Sequence, residues 1–207
     1  MQIESLTSNH NAPDRLAKQL AFVAEIDKLK DVLQRNFVSG SRRNENSAEH
    51  SWHLALMALV LLEHCTEPGM DRLQILKLVL VHDIVEIDAG DTFGYDAAGH
   101  VTKADREKKA ADRIFNLLPS DQALQFRQLW DEFEAGRTKE ARLAQGLDRA
   151  QAVLQSLHTD GGGWRHHKVT KTQILEYNKP IATTMPAVWE VVRQQIDHLE
   201  EQAPWDK

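Results

Sequence analysis

His82 and Asp83 are adjacent metal-ligand types set in the apolar run Val79-Leu80-Val81-His82-Asp83-Ile84-Val85-Glu86. A carboxylate in such a run is costly to bury unless it is paired, hydrogen-bonded or coordinated, so Asp83 requires partners from elsewhere in the chain. On a helix, His82 and Glu86 lie one turn apart and Asp83 and Glu86 are i,i+3 neighbours, which turns three polar groups toward one region. Two carboxylates beside one imidazole are electrostatically poor company, and a divalent cation would reverse that balance. His50 and Asp148 are the remaining ligand candidates. Asp148 interrupts the apolar stretch from Ala144 to Leu154, where Gly146 lets another segment approach closely. With ten His in 207 residues, a His-Asp dipeptide means little without such partners.

The elements that must position these groups read as helices. Leu16, Leu20, Val23, Ile26, Leu29 and Leu33 recur every three or four residues and predict a helix from Asp14 to near Asn36. Asn46 and Glu49 are spaced as a capping pair for a second helix, with His50 in its first turn and His53, Leu54, Met57 and Leu61 along its stripe. Asp71 caps a third, which is predicted to carry Leu73, Leu76, Leu80, Asp83, Ile84 and Ile87 before a stop at Gly90 or Gly94. Thr102 opens a fourth, Lys103 to Leu118, whose charge run reads as a solvated face. Pro119-Ser120 precedes a fifth helix that Gly136 ends, and Thr138 starts a sixth through Leu143, Leu147, Ala150 and Leu154. Gly161-Gly162-Gly163 predicts a loop, with His166-His167 exposed after it. A short helical stretch near Lys171 to Tyr177 and an amphipathic helix through Val188, Val192, Ile196 and Leu199 complete the chain. Period-two alternation is not convincing anywhere, so the fold class is all-α: one helical domain spanning 1–207, with its core about 14–200.

Composition sets the outer limits. A net charge of −6 argues against a broad phosphate-tracking surface for nucleic-acid polymers but leaves room for a small basic pocket. Cys65 is the single cysteine, so an intrachain disulfide and a thiolate metal cluster are both excluded, and a cytoplasmic location is the default. Met1-Gln2-Ile3-Glu4-Ser5 has neither a basic start nor an apolar core, and the run from Met57 to Leu62 is too short to span a bilayer.

The pattern of His50, then His82-Asp83, then a distant Asp148 resembles the HD-domain metal-dependent phosphohydrolases. The segments Arg43-Asn44-Glu45-Asn46-Ser47-Ala48-Glu49-His50-Ser51 and His82-Asp83-Ile84-Val85-Glu86-Ile87-Asp88-Ala89-Gly90-Asp91 are similar to the 5′-deoxynucleotidase branch, as are Leu117-Leu118-Pro119 and Leu147-Asp148-Arg149-Ala150-Gln151. The resemblance covers the chain from about Leu16 to the last helix. It implies an HD-domain helical bundle with metal ligands His50, His82, Asp83 and Asp148. It also implies Glu86 and Asp91 as the carboxylates that serve the reaction, and Arg35 as the phosphate-binding arginine, with Arg43 the second basic candidate. Where that branch often has an aromatic residue after the arginine, this chain has Asn36. A homodimer is implied as well.

Two imidazoles and two carboxylates without thiolate suit one Mn²⁺, Fe²⁺, Co²⁺, Ni²⁺ or Zn²⁺ ion per chain better than an all-oxygen Mg²⁺ site. The expected reaction is hydrolysis of a deoxynucleoside 5′-monophosphate to deoxynucleoside and phosphate. HD-type cyclic-dinucleotide phosphodiesterases use a second metal and further histidines, whereas only His100 lies between Asp83 and Asp148 here. Two alternatives stand beside the deoxynucleotidase. One is a guanosine tetraphosphate-type HD hydrolase, although its Glu-Asp pair is Glu86-Ile87 in this chain. The other is a noncatalytic nucleotide-binding module that uses the ion for structure.

Overall fold

The structure is a computed structural model that describes residues 14–41 and 43–202, so Met1 to Ser5 lie outside the described residues. Helix α1 (Asp14–Ile26) leads through a 3-10 turn to strands β1 (Leu33–Phe37) and β2 (Asn44–Asn46), then α2 (Ser47–Leu61) and α3 (Arg72–Val81). A 3-10 turn, His82–Val85, joins α3 to the short α4 (Glu86–Ala89). There follow α5 (Ala97–Phe115), α6 (Ser120–Ala135), α7 (Lys139–His158), α8 (Gly162–His166), α9 (Lys171–Thr184) and α10 (Pro186–Gln202). The fold class is the expected all-α one, with a single two-stranded sheet among the described residues.

Local chemistry fixes most helix starts where the sequence puts them. Asn46 and Glu49 form a capping box, each side chain accepting from the other's backbone N–H at 2.9 and 2.8 Å. Asp71 caps α3 through the Gln74 N–H at 3.1 Å, and Thr138 caps α7 through the Ala141 N–H at 3.1 Å. Gly136 ends α6 in the left-handed conformation, φ 58°. Helix α7 forms the middle of the bundle, burying Leu143, Ala144, Leu147, Ala150 and Val153. It packs on α2, α3, α6, α9 and α10.

Gly146 is the close-approach point in that helix. A methyl group on it would collide with Thr184 Oγ1, which donates to the Pro180 carbonyl at 3.1 Å, and would also touch Met185. Gly146→Ala is therefore expected to cost about 1–3 kcal/mol through overpacking, seen as a lowered Tm. An unchanged Tm would mean that Thr184 yields without cost.

Five parts of the chain differ from expectation. The first helix stops at Ile26; Asp27–Asp31 is a 3-10 turn, and Leu33–Phe37 is strand β1, paired antiparallel with β2. Leu29 is buried, but Leu33, one helical turn further on, is exposed, so the apparent stripe continues by coincidence. The third helix breaks at His82 into a 3-10 turn rather than running through Ile87, and Gly90, with φ 71°, is the stop. Helix α5 begins at Ala97, not near Thr102, because the Asp96 side chain accepts from the Ala98 and Gly99 N–H groups at 3.1 and 3.0 Å. Gly162 and Gly163 belong to α8, and α9 continues through Pro180 to Thr184. No helix of the described residues is long and apolar enough to cross a membrane.

Candidate functional site

His50, in the first turn of α2, is 1% exposed, and the 3-10 turn after α3 buries His82 and Asp83 beside it. His50 Nε2 lies 3.1 Å from Asp148 Oδ1 of α7 and 3.8 Å from Asp83 Oδ2. His82 Nε2 lies 3.0 Å from Asp83 Oδ1. One donor atom from each of His50, His82 and Asp83 falls within 4.8 Å of the others, a spacing that can hold a single ion. The four residues singled out as ligands thus converge from three separate elements.

The chemistry of the donors fits a cation. His82 Nδ1 lies 2.9 Å from the Val79 carbonyl, an arrangement that assigns the proton to Nδ1 and leaves Nε2 with its lone pair. That Nε2 is buried, makes no hydrogen bond and faces a carboxylate oxygen. A lone pair aimed at an anion is repulsive until positive charge sits between them. The surrounding charges show the same demand. Burial would lower the His50 pKa, yet Asp148, Glu45 and Asp83 together push it well above its ordinary value. Burial would raise Asp148, but the His50 imidazole pulls it down to about 2.

Glu86 follows Asp83 by three residues, and the tightened turn keeps both on one side, since i and i+3 eclipse in a 3-10 helix. Glu86 is buried and its Oε2 accepts from the Ser47 hydroxyl at 2.7 Å. Burial, then repulsion from Asp83 and Asp91, pushes its pKa well above the usual carboxylate range. Asp91 sits past the Gly90 stop, its pKa pushed up to about 6 by burial and then by Asp83, against the opposing pull of Arg35. Arg35 Nε is 4.0 Å from Asp91 Oδ2.

These groups line a cavity of about 900 Å³, counted out to its open mouth. Arg35, His82, Asp83, Glu86, Asp91 and Asp148 all contribute to its wall. Arg43 does not. Its guanidinium grips both carboxylate oxygens of Glu49, the residue that completes the α2 capping box, and is held outside the cavity. His166 and His167 form no metal cluster with other described residues; they pack on Phe37 and Phe93, with ring centroids 6.2 and 4.5 Å apart.

Several lining residues are not evident from the sequence. Gln34 of β1 donates to Asp83 Oδ2 at 2.9 Å, so a strand, where the spacing predicts helix, supplies a direct partner to the centre. Lys103 lines the cavity and pairs with the buried Glu107 at 3.3 Å, so the charge run on α5 is solvated only in part. Their signal was present: positions 103, 107, 110 and 114 share one helical stripe. Arg149 stacks on Tyr177, 4.1 Å from the ring centroid, and Tyr177 continues through Tyr95 to Phe93 as an aromatic wall.

A helical bundle that gathers two imidazoles and two carboxylates at the foot of a polar cavity offers a donor set that could hold a metal ion. A model of the HD domain matches residues 26–189, and the chain belongs to the HD domain family. Among curated relatives, human 5'-deoxynucleotidase HDDC2 is 30% identical over 138 residues, 66% of this chain and 66% of that protein. The Dictyostelium discoideum 5'-deoxynucleotidase HDDC2 is 30% identical over 146 residues, 68% of this chain and 77% of the relative. The chain thus spans about two thirds of the length of the human relative. A crystal structure of a predicted metal-dependent phosphohydrolase from Magnetospirillum magnetotacticum MS-1 superposes with a TM-score of 0.87 at 42% identity, covering 93% of this chain and 96% of that one.

Proposed function

We propose that the protein is a metal-dependent 5′-deoxynucleotidase that hydrolyses deoxynucleoside 5′-monophosphates, with one divalent ion per chain held by His50, His82, Asp83 and Asp148. The observation that carries this reading is the convergence of buried imidazole and carboxylate donors beside Glu86, Asp91 and Arg35 in one cavity. The curated relatives named as 5'-deoxynucleotidases support the substrate class. When bound, a divalent ion with open coordination positions supplies charge stabilisation at the phosphate and acidifies a water.

The chain's own groups account for the rest. Glu86, held by the Ser47 hydroxyl, orients the attacking water and takes its proton. Asp91, beside the cavity and past the Gly90 stop, is placed to donate to the leaving 5′-oxygen; holding a sugar hydroxyl is its other available role. Arg35 is more than half exposed at the cavity wall and can grip the phosphate through two N–H groups. Arg35→Ala is expected to raise KM at least about tenfold, as for loss of a hydrogen bond to a charged group. Arg43→Ala is expected to leave KM unchanged and lower Tm, because its partner is the Glu49 capping box. Steady-state kinetics with a melting curve separates the two.

Self-association into a homodimer belongs to the same proposal. Trp52, Leu56, Leu59 and Val60 are 43–67% exposed along one side of α2, apolar surface that a second copy would cover. Light scattering is expected to give twice the 23.5 kDa chain mass, and Trp52→Glu to return it toward the monomer. The primary test is phosphate release from a panel of ribo- and deoxynucleoside monophosphates with Mn²⁺, Co²⁺, Fe²⁺, Ni²⁺, Zn²⁺ and Mg²⁺. Release from deoxynucleotides in preference to ribonucleotides is expected; release from none of the deoxynucleotides overturns the reading.

A further inference from the structure

A second carboxylate stands behind the centre, on the side of His50 away from Asp148. Glu45 of β2 is 3% exposed, and its Oε2 lies 3.3 Å from His50 Nδ1. Gln151 of α7, fully buried, directs its amide Nε2 at both Glu45 oxygens, at 2.9 and 2.8 Å. The same amide lies 3.3 Å from His53 Nδ1. A carboxylate with so little access to water needs hydrogen bonds and positive charge nearby. Arg43 feels its charge from a distance but is committed to Glu49. The groups that remain are the Gln151 amide and the His50 ring.

From this arrangement we infer that Glu45 is a positioning residue for the metal centre and that Gln151 holds it in place. The inference rests on the proposed metal centre. A carboxylate facing Nδ1 places the ring proton there, so Nε2 presents its lone pair toward Asp83 and Asp148. Its negative charge also makes Nε2 a stronger donor. His82 is oriented differently, by the neutral Val79 carbonyl at 2.9 Å. The two imidazoles therefore differ in donor strength, with His50 the stronger because an anion backs it. Gln151 suits the task because an amide can hold both carboxylate oxygens without neutralising them. A lysine in its place would cancel the charge that His50 uses. The ring and the carboxylate are not in aligned hydrogen-bond geometry, and His50 Nδ1 has no other hydrogen-bond partner, so nothing competes with Glu45 for that proton.

The test is metal affinity of the full chain, stripped with a chelator and titrated with Co²⁺ against a chromophoric competitor. Glu45→Gln keeps the size and removes the charge, and it leaves one of the two oxygens that accept from Gln151. Its Co²⁺ dissociation constant is expected to rise about 10–100-fold, with a shifted Co²⁺ absorption band and an ion-free Tm close to wild type. Glu45→Asp, which restores the charge on a shorter arm, is expected to recover part of the affinity. A Glu45→Gln protein with wild-type affinity and spectrum overturns the inference, as does a loss of ion-free Tm with no change in affinity. Should Glu45→Gln fail to fold, Gln151→Met decides: weaker Co²⁺ binding with Glu45 intact is expected, and unchanged binding overturns the role. If the wild-type chain binds no divalent ion, the metal centre fails and the inference falls with it. If wild type binds and Glu45→Gln binds equally, only the inference fails.

Discussion

Glu86→Gln is expected to lower kcat about 10²–10⁴-fold, the range for loss of a general base, while Co²⁺ affinity stays within about twofold of wild type. The substitution is close to isosteric, and the new amide oxygen can still accept from the Ser47 hydroxyl that fixes Glu86 at 2.7 Å. What disappears is the capacity to take a proton. Burial and the charges of Asp83 and Asp91 hold the Glu86 pKa well above its ordinary range, so the carboxylate accepts a proton more readily than a solvated one. A noncatalytic module predicts another result, with no phosphate release before or after the change. Phosphate release and Co²⁺ titration on the same preparations distinguish the two. Retained turnover in Glu86→Gln would remove Glu86 from the reaction and leave Asp91 as the carboxylate to test.

Helices with strong local signals were legible in the sequence, and the strand was not, for a physical reason. Residues Asn46, Asp71 and Thr138 announce helix starts through caps that depend on a few neighbouring atoms. Strand β1 inverts the usual pattern. Its Leu33 is exposed, while Gln34, Arg35 and Asn36 line a polar cavity rather than an apolar core. Hydrophobic periodicity reports contact with the core and is silent about contact with a site. The break at His82 is silent in the sequence for a related reason. Residues 79–87 are apolar enough for a continuous helix, and only tertiary packing, which buries all four residues from His82 to Val85, selects the tighter turn.

The same distinction separates the site residues that could be read from those that could not. His50, His82, Asp83 and Asp148 stand out because ionisable groups in apolar surroundings are costly, and the structure gathers all four. Glu86 is legible through its spacing from Asp83, whereas Asp91 came only from the family resemblance, and both line the cavity. Glu45 lies in a stretch of mixed polarity, and Gln151, although inside the apolar run of α7, is uncharged, so neither carries a signal until burial is known. Arg43 illustrates the opposite error. Its place in the loop before His50 is right for a phosphate ligand, but Glu49 lies within reach and engages it first.

Removing the ion is expected to abolish phosphate release and to lower Tm, both restored by adding a divalent metal. The stability effect follows from linkage, because an ion that binds the folded chain and not the unfolded one stabilises it by about 2.7 kcal/mol at a hundred times its Kd. For a domain of this size that corresponds to roughly 5–10 °C. The local charges set the direction: Glu45, Asp83, Glu86, Asp91 and Asp148 surround two buried imidazoles, and without the ion burial and mutual repulsion push Glu86 and Asp91 toward taking up protons. His82→Ala removes a ligand whose Nε2 has no hydrogen-bond partner to lose. That variant should melt at the same temperature with and without metal, while Glu86→Gln keeps the full metal-induced shift. Thermal melts of wild type and both variants, each with chelator and with Co²⁺, supply the comparison. A wild-type Tm indifferent to chelator and metal would rule out a bound ion at His50, His82, Asp83 and Asp148, and with it any reaction that depends on one.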